Sequence, residues 1–163
     1  MTGTTSACEL NFRPPETLSI EAARLFDNEI RHKGERDYRT TDEAALAYTE
    51  ELKPGIEHLY AITNSTSGLL AAARVTHNSV GGNTSYISHF AVGPNHRKRG
   101  HGSRLVQYIG SQAIMYGDDT LQLYTEMPEY FSKLGFHSNG AWETGPNMMH
   151  DMTAVISTIL ASG

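Results

Sequence analysis

The chain has 163 residues, 39% of them hydrophobic, which is enough for one domain with its own core and too apolar for a disordered chain. Its 13 lysines and arginines stand against 18 acidic residues, and the formal charge of −5 argues against a nucleic-acid coat or a protein of anionic membrane surfaces. A single cysteine, Cys8, excludes an internal disulfide framework, and the apolar runs LLAAA and TAVI are far too short to cross a bilayer. MTGTTSACELNF has neither the basic stretch nor the apolar core of a signal peptide, so the expected location is the cytoplasm.

Residues 1–8 are read as a flexible, polar leader running into a first strand, CELNFRP, closed by Pro14-Pro15. SIEAARLFDNEI then places Ala22, Ala23, Phe26 and Ile30 on one helical face. Thr40-Thr41-Asp42-Glu43 fits a capping box, and the helix behind it carries Ala44, Ala45, Tyr48 and Leu52 before Pro54-Gly55 stops it. HLYAIT and GLLAAARVTH, joined by NSTSG, predict a hairpin, and TSYISHFAV predicts a fourth strand after the turn NSVGGN. A helix over 100–116 has Leu105, Val106, Ile109, Ala113 and Tyr116 as its apolar stripe, with Gly117 ending it. TLQLYT is a fifth strand, MPEYFSKLGF a short helix, and NMMHDMTAVI a last strand. The expected architecture is α/β (α+β): a mixed, mostly antiparallel sheet of six strands with one crossover, covered by about four helices in a single domain over 1–163.

The run RKRGHG stands out against the acidic background. Arg97, Lys98, Arg99, Gly100, His101 and Gly102 lie where the fourth strand gives way to the long helix. A helix start leaves backbone N–H groups unpaired at the positive end of the dipole, and glycines let a phosphate approach them without meeting a Cβ. Arginines add directed donors. The arrangement is a pyrophosphate cradle. Neither the dinucleotide fingerprint G-x-G-x-x-G nor the Walker loop G-x-x-x-x-G-K-[ST] is present.

FAVGPNHRKRGHGSRL resembles the central motif of the GNAT superfamily, the acyl-CoA-dependent N-acyltransferases, in which a strand and a Pro turn precede [RQ]-x-x-G-x-[GA]-x-x-L. Arg97, Gly100, Gly102 and Leu105 match its fixed positions. YFSKLGF at 130–136 is similar to the family's downstream F-Y-x-K-L-G-F element, and the resemblance spans roughly residues 9–156. It implies a sheet splayed between the fourth and fifth strands, with the pantetheine of acetyl-CoA paired to the backbone of Phe90, Ala91 and Val92. The pyrophosphate would rest on the N–H groups from Arg97 through Lys98, Arg99, Gly100, His101 and Gly102 to Ser103. His101 is expected to give its backbone N–H rather than its imidazole.

The implied chemistry is direct attack of an amine on the thioester, which needs a neutral amine, a stabilised oxyanion and a proton for the thiolate. The tyrosine usual in the second motif falls on Phe131, and the phenol sits one place earlier at Tyr130. One step along a helix turns a side chain by about 100°. Tyr130 is the first candidate acid and Tyr124 the second. His89 has the pKa of a base at neutral pH. Strand alternation puts Tyr86, Ser88 and Phe90 on the face opposite His89, with a water chain through Ser88 and Tyr86 as the other path, and a bulge there would reverse the faces.

No histidine pair has metal-ligand spacing beside a carboxylate, so no metal is expected. The acidic loop with Glu35, Asp37 and Asp42 falls where the family builds its acceptor pocket, as solvated residues or as a cation site. The expected activity is N-acetyl transfer to a primary amine of a small molecule, with no nucleic-acid or membrane partner and with a homodimer as a possible assembly. The alternatives are a longer acyl-CoA, a protein amine as acceptor, or a non-catalytic acyl-CoA sensor of the same fold.

Overall fold

The structure is a computed structural model that describes residues 4–10, 21–22, 24–26, 57–79 and 82–161. Seven strands form one sheet in the order β1-β2-β3-β4-β5-β7-β6. They are β1 (Thr5–Leu10), β2 (Glu57–Asn64), β3 (Gly68–Ser79), β4 (Thr84–Val92), β5 (Thr120–Thr125), β6 (His137–Thr144) and β7 (Asn147–Val155). The helices are α1 (His101–Met115), α2 (Pro128–Lys133) and α3 (Ile156–Ala161), and the described residues between Glu21 and Phe26 are helical too. β4 and β5 pair in parallel from Thr84↔Thr120 to Ile87↔Leu123, whereas β1–β2, β5–β7 and β6–β7 are antiparallel. The mixed, mostly antiparallel α/β architecture expected from the sequence is therefore present.

The contacts divide the chain into two compact units. The first is Met1–Val75 with His89–Leu105, and the second is Thr76–Ser88 with Val106–Gly163. In the first, Leu10, Ala22, Phe26, Leu59, Ala61, Ala72 and Ala91 make one buried cluster. The turn between β2 and β3 is set locally: the Asn64 side-chain oxygen accepts the N–H groups of Thr66 at 2.8 Å and Ser67 at 3.0 Å. In the second unit, Val106, Ile109 and Ala113 on α1 and Leu121, Leu123, Met152 and Ala154 on the strands are all buried.

Several expectations are corrected. β1 starts at Thr5, paired with Asn64, so residues 5–8 belong to the sheet and not to a flexible leader. The sheet has a seventh strand, β6, which has no apolar alternation: all eight of its residues are exposed, and it is held by its pairing to β7. The last strand stops at Val155, and Ile156 begins a short helix. Tyr116, expected on the apolar stripe of α1, lies past the helix end with its ring stacked on His77 at 4.3 Å. The expected closure at Pro14-Pro15, Ala23 and Ile30, the capping box at 40–43, the helix behind it and the acidic loop with Glu35, Asp37 and Asp42 lie outside the described residues.

Candidate active site

The first half of β4 alternates between buried and more open positions. Ser85, Ile87 and Ala91 are buried, and the half-buried His89 shares their face with its ring 5.2 Å from that of Phe26. Tyr86 lies on the opposite face, and Ser88 is exposed where Phe90 is half-buried. After Val92 the chain turns sharply. Gly93 donates its N–H to the Leu70 carbonyl at 2.8 Å, and a Cβ there would lie 3.0 Å from the His96 ring and 3.3 Å from that carbonyl. Any side chain there would press on the His96 ring and the Leu70 carbonyl, so glycine eases the close approach that carries the chain through a 3-10 turn at Pro94–His96.

The basic run then forms a concave backbone. Lys98 (φ +62) and Gly100 (φ +82) both adopt left-handed conformations on either side of Arg99. For lysine this conformation costs about 1–2 kcal/mol, and alternating handedness of this kind turns successive N–H groups toward one point. The first backbone bond of α1 is Arg104 N–H to the Gly100 carbonyl at 3.0 Å, which leaves the amides of His101, Gly102 and Ser103 ahead of the helical ladder. Gly102 is buried, while Arg97, Lys98, Arg99 and Ser103 are exposed. Arg97 Nε donates to the Val92 carbonyl at 3.3 Å, and Arg104 reaches the Thr5 carbonyl at 3.1 Å. Partial burial, followed by the charges of His96, Arg99 and Arg104, holds the His101 imidazole below the ordinary histidine range. The charges add to the burial effect, and an anion is the natural complement of that local positive field.

In the same unit a cavity of about 290 Å³ opens beside the turn, lined by Glu21, Arg24, Ser67, Leu69, Gly93 and His96 among others. The Glu21 Oε2 atom is buried without a hydrogen-bond partner. The sequence reading missed Glu21, because a helical glutamate between apolar residues looks like a solvated position.

The second unit carries the phenols. Phe131 is buried at 4% exposure, its ring edge-on to Tyr130 at 5.0 Å and Phe136 at 5.7 Å, so the position of the family's tyrosine is filled by core. Tyr130 is exposed. Tyr124 is exposed as well, and its ring meets Tyr86 at 5.7 Å and Trp142 at 5.5 Å. Burial, then the neighbouring Tyr124, raises the Tyr86 phenol above its ordinary pKa, so it remains a neutral hydroxyl through the physiological range. His89 and Tyr130, paired in the sequence reading as base and acid, lie in different units. Among the described residues no three histidine, cysteine or acidic side chains converge on a metal position. No helix among them is long and apolar enough to cross a membrane.

The strand, the glycine turn and the amide-lined helix start define a family. The profile of the acetyltransferase (GNAT) family matches residues 21–138, and the chain belongs to that family. Solved structures agree at the level of fold. Aminoglycoside 6'-acetyltransferase type Ii superposes with a TM-score of 0.74 at 18% identity, over 93% of this chain and 97% of that one. Spermidine N-acetyltransferase from Vibrio cholerae, in complex with CoA and spermine, gives 0.71 at 14% identity over 96% and 98%. An aminoglycoside 6'-N-acetyltransferase complexed with coenzyme A gives 0.73 at 18% identity over 93% and 97%. No curated protein matches the chain in sequence.

Proposed function

We propose that the protein is a cytoplasmic, acetyl-CoA-dependent N-acetyltransferase of a single domain, acting on a primary amine of a small molecule by direct attack. The observation that carries the reading is the cradle: two left-handed residues, Lys98 and Gly100, set ahead of free helix-start amides in a basic run. The N–H groups from Arg97 to Ser103 hold the diphosphate, with Arg97, Lys98 and Arg99 adding charge. The backbone of Phe90, Ala91 and Val92 pairs with the amides of the pantetheine arm, as an added strand would. The amine nitrogen forms a bond to the acetyl carbon, the carbon–sulfur bond breaks, and the thiolate takes a proton while the amine gives one up. A β4 amide near Val92 stabilises the oxyanion.

We assign the proton acceptor to His89 and the donor to the thiolate to Tyr130. The contact of His89 with Phe26 favours a second path on the opposite face of β4, through water along Tyr86 and Ser88. A His89→Gln variant separates the two. Loss of about 10²-fold in kcat with a changed acid limb of the pH profile supports the imidazole, and a near-normal rate moves the role to the Ser88 face.

Incubation with acetyl-CoA and a panel of amines, read as release of free thiol, tests the activity. Calorimetry of CoA on Gly102→Glu and on Arg97→Ala/Arg99→Ala tests the cradle. Turnover with weakened CoA binding in the variants is expected. Tight CoA binding with no turnover on any amine, a longer acyl-CoA included, favours a sensor, and unchanged CoA affinity in both variants overturns the reading.

A further inference from the structure

Beyond the cradle, the second unit presents one sheet face whose residues come from four strands. Leu121, Leu123, Met152, Ala154, Ser85 and Ile87 point to the buried side. The pairing then places Tyr86 beside Gln122, Tyr124 beside Asp151, and Trp142 beside Met149 on the other side. The rings of Tyr86, Tyr124 and Trp142 form a continuous row, tilted at 60° and then at 73° to one another. Despite that packing, Tyr124 remains 46% exposed and Trp142 44%, so ring surface faces solvent. Soluble proteins seldom leave aromatic surface of this size uncovered without a ligand or partner for it.

Within this row sits a carboxylate. Asp151 lies directly across from Tyr124 and accepts one hydrogen bond, from Gln122 Nε2 at 3.1 Å. It forms no ion pair among the described residues, and the half-buried side chain is served by a neutral amide. On its other flank stands Gly140, whose missing side chain leaves that side open: a Cβ there would meet nothing within 4 Å. A carboxylate without an ion pair among the described residues, set beside electron-rich ring faces, is complementary to one kind of group. That group is a substituted ammonium, drawn by the charge of the acid and by the negative quadrupole of the rings.

We propose that this face binds a cationic ammonium group of the acceptor, with Asp151 as its counter-charge and Tyr86, Tyr124 and Trp142 as its aromatic wall. Calling the ligand an acceptor rests on the acetyl-transfer reading above, but the binding itself does not. The site selects cationic amines over neutral or purely apolar ones of the same shape, and so determines specificity.

Trp142 is the one tryptophan of the chain, so its fluorescence reports on the site directly. The probes are choline, which is permanently charged and has no amine to acetylate, and 3,3-dimethyl-1-butanol, its neutral isostere. Full-length protein without CoA is titrated with each. Choline is expected to change the emission saturably, with the neutral isostere weaker by on the order of tenfold or more. Asp151→Asn, nearly the same in shape, is expected to weaken choline by a similar factor with an unchanged circular dichroism spectrum, and Tyr124→Leu serves as a second variant if the first fails to fold. CoA affinity by calorimetry is expected to stay the same in both. Equal binding of the two probes, no saturable change with either, or choline binding indifferent to both variants overturns the proposal. Thiol release with acetyl-CoA, measured separately, decides the acetyl-transfer reading whichever way the titration falls.

Discussion

Ser85 Oγ donates a 2.6 Å hydrogen bond to Asp118 Oδ2, joining β4 to the turn after α1 inside the second unit, where the two residues are 0% and 3% exposed. Because that proton points to the carboxylate, the serine oxygen accepts from His77 Nδ1 at 2.7 Å, which fixes the ring with Nδ1 protonated. The Asn78 backbone N–H adds a bond to Oδ2 at 2.9 Å. With its amide nitrogen turned inward, Asn78 also donates to Oδ1 at 3.0 Å and to the Tyr116 carbonyl at 2.9 Å. Serine, histidine and aspartate meet here, but the hydroxyl is spent on the acid, so the trio is a structural clamp and not a nucleophile.

Removing part of this clamp is costly because the rest stays buried. Ser85→Ala is expected to destabilise the fold by about 1–3 kcal/mol, and Asp118→Ala by more, since it strands both the serine hydroxyl and the Asn78 donors. Urea unfolding at constant m-value measures both. A midpoint that does not move in Asp118→Ala would show the network to be dispensable.

Two glycines separate backbone strain from crowding. Gly82 (φ +83) has nothing within 4 Å of an added Cβ, so Gly82→Ala is expected to cost only the conformational term of about 1–2 kcal/mol. At Gly135 (φ +105) the new Cβ would lie 2.7 Å from Ile159 Cδ1, and Gly135→Ala is expected to cost clearly more. Ile159→Val deletes that atom, so in the double variant the penalties are expected to sum to less than the two single effects.

His101 predicts how CoA binding depends on pH. Its pKa in the free fold is lowered by burial and by His96, Arg99 and Arg104, so the neutral ring is preferred. A group shifted in this direction contributes full stability above the unfolded value of about 6.5, and that contribution declines as pH falls toward the folded value. A bound diphosphate reverses the local field and favours the imidazolium. Binding is then expected to take up protons, and affinity to rise, as pH falls toward the lowered pKa of the free fold. Calorimetry in buffers of different ionisation enthalpy reads the uptake, and His101→Gln is expected to abolish it.

Tyr130→Phe tests the assigned acid. A fall in kcat of about 10²-fold, with loss of the basic limb of the pH profile and little change in KM for acetyl-CoA, is the expected result. Phe131→Tyr is expected to lower stability without restoring that rate, because its ring is packed between Tyr130 and Phe136 with no room at the surface for a hydroxyl.

How much of this was legible beforehand varied with the range of the signal. β4 at 84–92 and β5 at 120–125 were read to the residue, since both are short periodic runs bounded by turn residues. β6 was not read, because HSNGAWET has neither period nor burial and becomes a strand only by lying against β7. The last strand was read one residue too far, through the β-branched Ile156, where the Asp119 carbonyl accepts the Ile156 N–H at 2.9 Å as the helix begins.

The amino-acid order alone determined the strand–turn–helix cradle, because handedness at Gly100, charge at Arg97 to Arg99 and exposed amides at the helix start are properties of one contiguous stretch of backbone. Tertiary structure decided which side chains share a face. The turning of His89 toward Phe26, the burial of Phe131 and the Ser85–Asp118 bond depend on packing between separate elements, and the gathering of Tyr86, Tyr124, Trp142 and Asp151 depends on register between strands far apart in the chain. A one-residue slip in any of those pairings would send each side chain to the opposite side of the sheet, and no local pattern encodes that choice.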